Sequence, residues 1–234
     1  GINTGDLTHI IRQKELPQGS IGYKAGNFAA NHFAGIKSAL RPVLGLANLG
    51  HSVLGTKAMS CITKGMHNVL GIPLWTPAMP KAYSIKSSQL TIDNDTLRNK
   101  NADKNGQLKV VYFPSCINQT MGLPKKSPVE QALASKMIAL LQKGGYEVIF
   151  PENMEKLCCG TIWESKGMLD IADRKSAELE AALWKASEQG RYPVLCDQSP
   201  CLHRMRETIH KMKLYEPAEF IYTFLRNRLV FTPT

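Results

Sequence analysis

The sequence lacks three features that would assign the chain to other classes of protein. No hydrophobic run in its 234 residues reaches the length that crosses a membrane, roughly 18 residues or more. Residues 1–6 are polar, so no signal peptide is visible. The six cysteines are too few for a disulfide scaffold, and their clustering indicates a reducing compartment in which thiolates are kept for ligation. We therefore expect a cytoplasmic protein, or one bound peripherally to the inner face of the cell membrane.

Acidic residues are scarce in the first part of the chain. The formal net charge is +10, and residues 1–92 hold nine Lys or Arg against Asp6 and Glu15 alone. Such a surface either faces an anionic partner, such as a lipid surface or an acidic protein, or is simply solvated. We do not expect nucleic acid as the partner, because no Lys/Arg block is interleaved with aromatic residues and no binding motif occurs.

The pattern of residues divides the chain into two regions joined by a linker. Residues 1–92 are expected to be a helical segment, with a short helix near 6–14. Its main part, 23–70, is rich in Ala, Leu and Gly at helical spacing, and Pro42 should kink or split that run. Residues 93–107 are polar and are typical of a linker or loop. Residues 108–234 alternate strand-like and helical segments. We expect an α/β fold in which an N-terminal helical segment precedes a small three- to four-stranded parallel sheet flanked by helices.

Individual elements can be placed along the sequence. The helical run is expected to turn Val53, Leu54 and Cys61 inward. Short apolar segments that end at or near a proline predict buried strands, and amphipathic segments predict the helices between them. The predicted strands are 109–113, 146–150 and 192–196, and the predicted helices are 127–143, 170–187, 200–212 and 217–229.

Five of the six cysteines fall next to the predicted strands. Cys116 follows the first strand, Cys158 and Cys159 follow the second, Cys196 ends the third, and Cys201 opens the helix after it. The carboxyl ends of parallel strands meet at one edge of a sheet, where such folds assemble their binding sites. Adjacent cysteines rarely bond to each other, but two neighbouring thiolates can ligate different atoms of one polynuclear cluster. We therefore treat all five as candidate metal ligands.

Several interpretations of these cysteines remain open from the residues alone. Five unrelated buried thiols are one alternative. A four-cysteine zinc site fits the number of ligands but lacks the C-x2-C knuckles that zinc sites use. An iron–sulfur cluster suits ligation by thiolates alone, and the Cys-Cys pair favours an unusual cluster shape over a ferredoxin cube. A thiol–disulfide reductase is a further alternative, although no C-x-x-C follows a strand.

Four polar residues near the cysteines have two interpretations each. His203 either hydrogen-bonds a sulfur or lies on the surface of a helix. Glu164, Lys166 and Asp173 either line the site or are solvated.

Three motifs resemble the cysteine-rich CCG domain that occurs in the heterodisulfide reductase B subunit and the glycolate oxidase iron–sulfur subunit. They are residues 111–116 (VYFPSC), 157–160 (LCCG) and 199–202 (SPCL). The wider sequence, including residues 1–7 (GINTGDL) and 160–167 (GTIWESKG), is similar to the bacterial FAD-linked D-lactate dehydrogenases. In that family an FAD-binding region comes first, a ferredoxin-type segment follows, and two CCG domains close the chain.

The resemblance implies that the chain is a piece of such a protein and contains its first CCG domain. The implied partners are the FAD and ferredoxin-type regions of the same polypeptide and a second CCG domain. The implied ligands are Cys116, Cys158, Cys159 and Cys201. Cys196 is the least certain ligand, because the family often has C-x2-C where this chain has C-x4-C. The implied cofactor is an iron–sulfur cluster of the 4Fe-4S type, cubane or non-cubane, or zinc in the isolated piece, with FAD in the parent protein.

The function that follows from the resemblance is electron transfer. The chain would be the iron–sulfur module of a flavin-linked D-lactate (D-2-hydroxyacid) dehydrogenase, passing electrons from FAD toward a quinone or cytochrome acceptor. The piece alone is expected to be inactive, because the flavin- and lactate-binding residues lie elsewhere. The alternative is a structural four-cysteine zinc-binding module that docks a partner and has no redox role.

Overall fold

The computed structural model describes residues 4–71, 74–85 and 108–230. Within them the chain has the α/β fold expected from the sequence, with an N-terminal helical segment followed by a four-stranded parallel sheet flanked by helices. The predicted linker at 93–107 lies outside the described residues. None of the described helices combines the length and apolar character that crossing a membrane requires.

The N-terminal segment consists of three helices, α1 (Thr4–Glu15), α2 (Ile21–Asn31) and α3 (Phe33–Leu70). The run is not split at Pro42, because α3 continues through that residue. Pro42 lies on the exposed side of the helix, where water can satisfy the carbonyl group that its missing N–H leaves free. The interruption occurs instead at Gly55, whose φ of 75° and ψ of 172° are not helical.

The parallel sheet contains β2 (Leu108–Phe113), β4 (Tyr146–Ile149), β5 (Val194–Cys196) and β6 (Leu214–Tyr215), in the order β4-β2-β5-β6. Val111 of β2 lies opposite Ile149 on one side and Val194 on the other. A separate antiparallel pair, β1 (Pro80–Ala82) and β3 (Met121–Pro124), was not expected from the sequence.

Helices alternate with the strands in the second region. They are α4 (Cys116–Thr120), α5 (Leu133–Lys143), α6 (Thr161–Glu164), α7 (Leu169–Ala186), α8 (Ser199–Thr208) and α9 (Pro217–Phe220), with a 3-10 turn at Met154–Lys156 and a π turn at Ile221–Leu225. The predicted start of a helix at Ser127 is wrong, because α5 begins at Leu133. The Ser127 hydroxyl still accepts a hydrogen bond from the Val129 N–H, but no helix follows there. The predicted helix 200–212 ends early, because the chain returns to the sheet as β6.

The core lies on both faces of the sheet. Successive side chains of a strand point to opposite faces, so Val110 and Tyr112 pack in one hydrophobic cluster while Val111 and Phe113 pack in the other. The cluster around Val111 also contains Cys158 and Cys159. The two adjacent cysteines are therefore part of the buried core rather than of an exposed loop.

The N-terminal helices pack directly on the α/β region. The indole N–H of Trp163 donates to the Gly26 carbonyl of α2 at 3.0 Å, and its rings meet Phe33 of α3 edge-on, with centroids 5.4 Å apart. The expectation that Val53, Leu54 and Cys61 face inward is wrong, because all three are exposed. Helix α3 instead turns a different stripe inward, and that stripe includes Phe33 and Lys37.

Candidate functional site

The structure places the candidate cysteines at the carboxyl ends of the parallel strands. Cys116 opens α4 directly after β2, and Cys201 lies in the first turn of α8 after β5. Cys158 and Cys159 lie between the 3-10 turn that follows β4 and the start of α6. Three separate loops thus bring cysteines to the same edge of the sheet, as expected from the order of the elements.

Four of these side chains interact in a row. The side chain of Cys116 interacts by hydrogen bonding with Cys158, Cys158 with Cys159, and Cys159 with Cys201. We call these four residues the thiol row. Cys158 is 1% exposed and Cys159 is 3% exposed, whereas the outer members Cys116 and Cys201 are half-buried. The row therefore reaches from the core to the surface at both of its ends.

Negative charge is distributed unevenly along the thiol row. Hydrogen bonding from Cys158 and Cys201, together with the Thr161 hydroxyl 3.2 Å from the sulfur, lowers the pKa of Cys159 to about 3. Hydrogen bonding with Cys158 also lowers the pKa of Cys116. The same contacts and burial raise the pKa of Cys158 and of Cys201, which remain the donors. Negative charge in the row is therefore favoured at Cys159 and Cys116 over Cys158 and Cys201.

The thiol row offers sulfur donors alone. Within residues 4–71, 74–85 and 108–230, no three His, Cys, Asp or Glu side chains are grouped so as to hold one metal ion. Thiolates arranged in a row can each bind a different atom of a polynuclear cluster, and thiolate sulfur is the ligand that iron–sulfur clusters use. The side-chain nitrogen of Asn118, two residues after Cys116, is buried without a hydrogen-bond partner. The residues present therefore fit such a group.

The two remaining cysteines lie outside the thiol row. Cys196, the last residue of β5, is 1% exposed, and its Sγ lies 3.9 Å from the carbonyl oxygen of Gln198. Burial raises the pKa of Cys196, and the charges of Asp197 and Cys159 act in the same direction, so it remains a neutral thiol. Cys61 is exposed on α3.

A buried carboxylate joins two of the loops that carry the thiol row. Asp197 follows β5, accepts a hydrogen bond from the Tyr112 hydroxyl at 2.6 Å, and accepts another from the Ser115 N–H at 2.8 Å. Ser115 precedes Cys116, and Asp197 is four residues before Cys201. The role of Asp197 was not predicted from the sequence. It could have been suspected, because Asp197 is a polar residue directly after a buried strand, at the edge of the sheet where the ligands were expected.

A buried lysine from the N-terminal segment also reaches this site. Lys37 of α3 is 5% exposed, and its ammonium group donates to Gln119 Oε1 at 2.7 Å and contacts the Met154 carbonyl oxygen at 3.4 Å. Gln119 belongs to the same helix as Cys116, and Met154 opens the turn before Cys158. The burial of Lys37 was also not predicted from the sequence. Its spacing could have indicated it, because a residue four positions after the apolar Phe33 lies on the same face of α3.

Gly160 of the Cys-Cys-Gly motif has a steric reason to be glycine. Its φ is 94°, and a Cβ there would lie 2.4 Å from the carbonyl oxygen of Ala172 in α7. In this motif the two cysteines supply sulfur donors, and the glycine allows the loop to approach helix α7 closely.

The polar neighbours of the cysteines have structural partners. Arg204 of α8 donates to Glu164 at 2.7 Å and also to Asp173, which ties α8 to α6 and α7. His203 is largely exposed and lies 3.3 Å from Glu207 on the next turn, and Lys166 is exposed. Through Arg204, Glu164 and Asp173 connect the helices around the site.

A cavity of about 470 Å³ lies away from the thiol row, between the β1–β3 pair and the start of α5. Tyr83, Gly122 and Ser135 are among the residues that line it, and no described cysteine does.

In comparisons with known proteins, no family model, curated protein or solved structure matches this chain. The resemblance to CCG domains and to FAD-linked D-lactate dehydrogenases therefore stays a prediction from the sequence motifs.

Proposed function

We propose that this chain binds an iron–sulfur cluster through the thiol row and transfers electrons singly. The observation that carries the proposal is the convergence of Cys116, Cys158, Cys159 and Cys201 from three loops at one edge of the sheet. A bound cluster supplies one-electron redox chemistry. The resemblance in the motifs supports a place within a flavin-linked D-2-hydroxyacid dehydrogenase, between FAD and a quinone or cytochrome acceptor.

The residues of the chain contribute ligation, a dry environment and hydrogen bonds. Burial of Cys158 and Cys159 keeps water from the middle of the thiol row. The backbone N–H of Thr161 and its hydroxyl both interact with the Cys159 sulfur, and the N–H of Ile117 interacts with Cys116. Hydrogen bonds to ligand sulfurs raise the reduction potential of such a centre. The half-buried ends of the row leave a short route for electrons to and from a partner.

Anaerobic reconstitution with iron and sulfide tests the proposal. The wild-type chain is expected to bind iron and sulfide in nearly equal amounts and to develop broad visible absorption that dithionite bleaches. Serine substitution of Cys158 or Cys159 should remove most of the bound iron. Cys61→Ser is the matched control and should bind as wild type does, because Cys61 is exposed on α3. Cys196→Ser should also retain iron, since its sulfur lies outside the row.

Three outcomes would contradict the proposal. Stoichiometric zinc with no visible colour after expression in iron-rich medium would favour the structural docking module instead. Iron that is lost equally from Cys61→Ser and Cys158→Ser would show adventitious binding. The chain alone is expected not to oxidise D-lactate with a dye acceptor, and turnover without added flavin would refute its role as a module of a larger enzyme. We place that larger enzyme in the cytoplasm or on the inner face of the cell membrane.

A further inference from the structure

Over residues 33–54, helix α3 has the opposite polarity to that of an ordinary surface helix. Its exposed face carries five aliphatic residues at helical spacing, which we call the apolar stripe. They are Ile36, Val43, Leu46, Leu49 and Val53, and each is between 43% and 75% exposed. The only Lys, Arg, Asp or Glu residues in 33–54 are Lys37 and Arg41. Lys37 is buried, and Arg41 Nε donates to the Tyr83 carbonyl at 3.0 Å. An exposed apolar patch of this kind marks a surface that binds a partner or a membrane.

Three lysines border the apolar stripe near its C-terminal end, and we call them the basic margin. They are Lys81, Lys125 and Lys126. The Lys125 ammonium group donates to the Ser52 hydroxyl at 2.7 Å. The Asn48 side chain donates to the carbonyl of Pro80 at 3.3 Å, which places the start of β1, and with it Lys81, beside α3. None of the three lysines takes part in an ion pair of the described residues.

The charge around the apolar stripe is complementary to an anionic surface. Residues 16–92, which include α2, α3 and β1, contain seven Lys or Arg and no Asp or Glu. Glu130 lines the cavity beside the basic margin, but no ion pair in the described part of the chain joins it to a lysine. A negatively charged partner would therefore meet little repulsion along this side of the molecule.

The composition of this surface favours lipid over an acidic protein. Protein interfaces are enriched in aromatic residues and Arg and depleted in Lys, whereas the apolar stripe is aliphatic and the basic margin is all Lys. A helix with apolar side chains along one face and lysines at its border binds in the interface of an anionic bilayer, where the lysine ammonium groups reach the headgroups. From Ile36 to Val53 the stripe is about 25 Å long, so it can lie along such a surface.

We propose that the apolar stripe and the basic margin dock this chain on the surface of an anionic lipid bilayer, with α3 lying in the plane of the membrane. The docking itself does not depend on a bound cluster. One consequence rests on the proposed function. The inner side of α3 contacts Gln119 and Met154 through Lys37, so one helix diameter, about 10 Å, separates the bilayer from the elements next to the thiol row. This arrangement suits an acceptor that is dissolved in the membrane.

Co-sedimentation of the chain with lipid vesicles tests the docking. Wild type should bind vesicles of phosphatidylcholine and phosphatidylglycerol roughly tenfold or more tightly than vesicles of phosphatidylcholine alone. Leu46→Ser should weaken binding to the mixed vesicles about tenfold, because it removes apolar area that the bilayer would bury. Tyr222→Ser is the matched control and should bind as wild type does, since Leu46 and Tyr222 are both 68% exposed but Tyr222 lies outside the stripe.

A second pair of variants separates the basic margin from net charge. Lys126→Gln should weaken binding to the mixed vesicles about fivefold. Lys143→Gln makes the same change in net charge at the exposed end of α5 and should have little effect. All four substituted side chains are exposed, so the variants should keep the circular dichroism spectrum of wild type.

Several results would overturn the docking proposal. They are a wild-type chain that does not bind the mixed vesicles, equal effects of Leu46→Ser and Tyr222→Ser, and equal effects of Lys126→Gln and Lys143→Gln. A lipid-free dimer in analytical ultracentrifugation that Leu46→Ser dissociates would also overturn it, because the stripe would then join two copies of this chain. Vesicle binding by a chain that takes up no iron would instead refute the proposed function and leave the docking supported.

Discussion

Removal of the Asp197 carboxylate should destabilise the fold where two loops of the thiol row meet. Burial and the neighbouring carboxylate raise the pKa of Tyr112, so the tyrosine remains a donor throughout the accessible pH range. In Asp197→Ala, the Tyr112 hydroxyl and the Ser115 N–H would both be left without their acceptor. Each unsatisfied buried donor costs about 1–3 kcal/mol, so we expect the free energy of unfolding to fall by about 2–6 kcal/mol.

A milder variant measures half of that interaction. Tyr112→Phe removes one of the two hydrogen bonds and should lower the free energy of unfolding by about 1–3 kcal/mol. Domains of this size are stable by about 5–15 kcal/mol in total, so this variant should still fold. Tyr222→Phe is the matched control: Tyr222 is 68% exposed, and its substitution should change stability by less than about 0.5 kcal/mol.

Urea unfolding at pH 7 under reducing conditions, followed by circular dichroism, measures all three variants. Since the two substitutions share one contact, the double variant should lose less than the sum of the single losses. A change below about 0.5 kcal/mol in Asp197→Ala, or equal effects of Tyr112→Phe and Tyr222→Phe, would refute the reasoning.

Three further substitutions test other contacts around the site by urea unfolding. Gly160→Ala should lower the free energy of unfolding by about 1–3 kcal/mol, because Gly160 has a positive φ and a Cβ there would meet the Ala172 carbonyl. Gly45→Ala is the control: Gly45 lies in open space on α3, and its substitution should raise the free energy of unfolding by about 0.5–1 kcal/mol. Equal effects of the two substitutions would refute the steric argument. Arg204→Met should cost about 1–3 kcal/mol because it leaves partly buried Glu164 without its partner. Arg226→Met, at an exposed position, should be nearly neutral, and an equally neutral Arg204 variant would contradict the packing role. Arg206 lowers the pKa of Glu219 below its usual 4.5, so the stability that this ion pair contributes is present above that pH and is lost as the pH falls through the lowered pKa. Wild type should therefore lose more stability on acidification than Glu219→Gln, and parallel losses would exclude the effect.

The parallel strands and the edge at which the cysteines lie could be predicted because both depend on local patterns. Val110, Val111 and Phe113 belong to a short apolar run that ends at Pro114, and such a run is typical of a buried strand. Once the strands alternate with helices, the residues after each strand share an edge whatever the details of packing. The order of strands and helices was therefore sufficient to predict that Cys158 and Cys159 lie near Cys116.

The parts that were missed depend on contacts between distant segments. Helix α3 has apolar residues on nearly all sides, so its sequence does not reveal that Val53 is exposed while Lys37 is buried. Strand β6 has two residues, too few for a periodic pattern. Asp197 receives its partners from β2 and from the loop before α4, more than eighty positions away in the sequence.

The most direct test of whether the thiol row holds a cluster is the iron and acid-labile sulfide content of the anaerobically reconstituted chain. It is measured for wild type and for the Cys159→Ser and Cys61→Ser variants. We predict about four iron atoms and about four sulfides per chain in wild type and Cys61→Ser, and a loss of most of both in Cys159→Ser. Iron content that is negligible in wild type, or that does not depend on Cys159, would contradict the assignment of the thiol row as an iron–sulfur site.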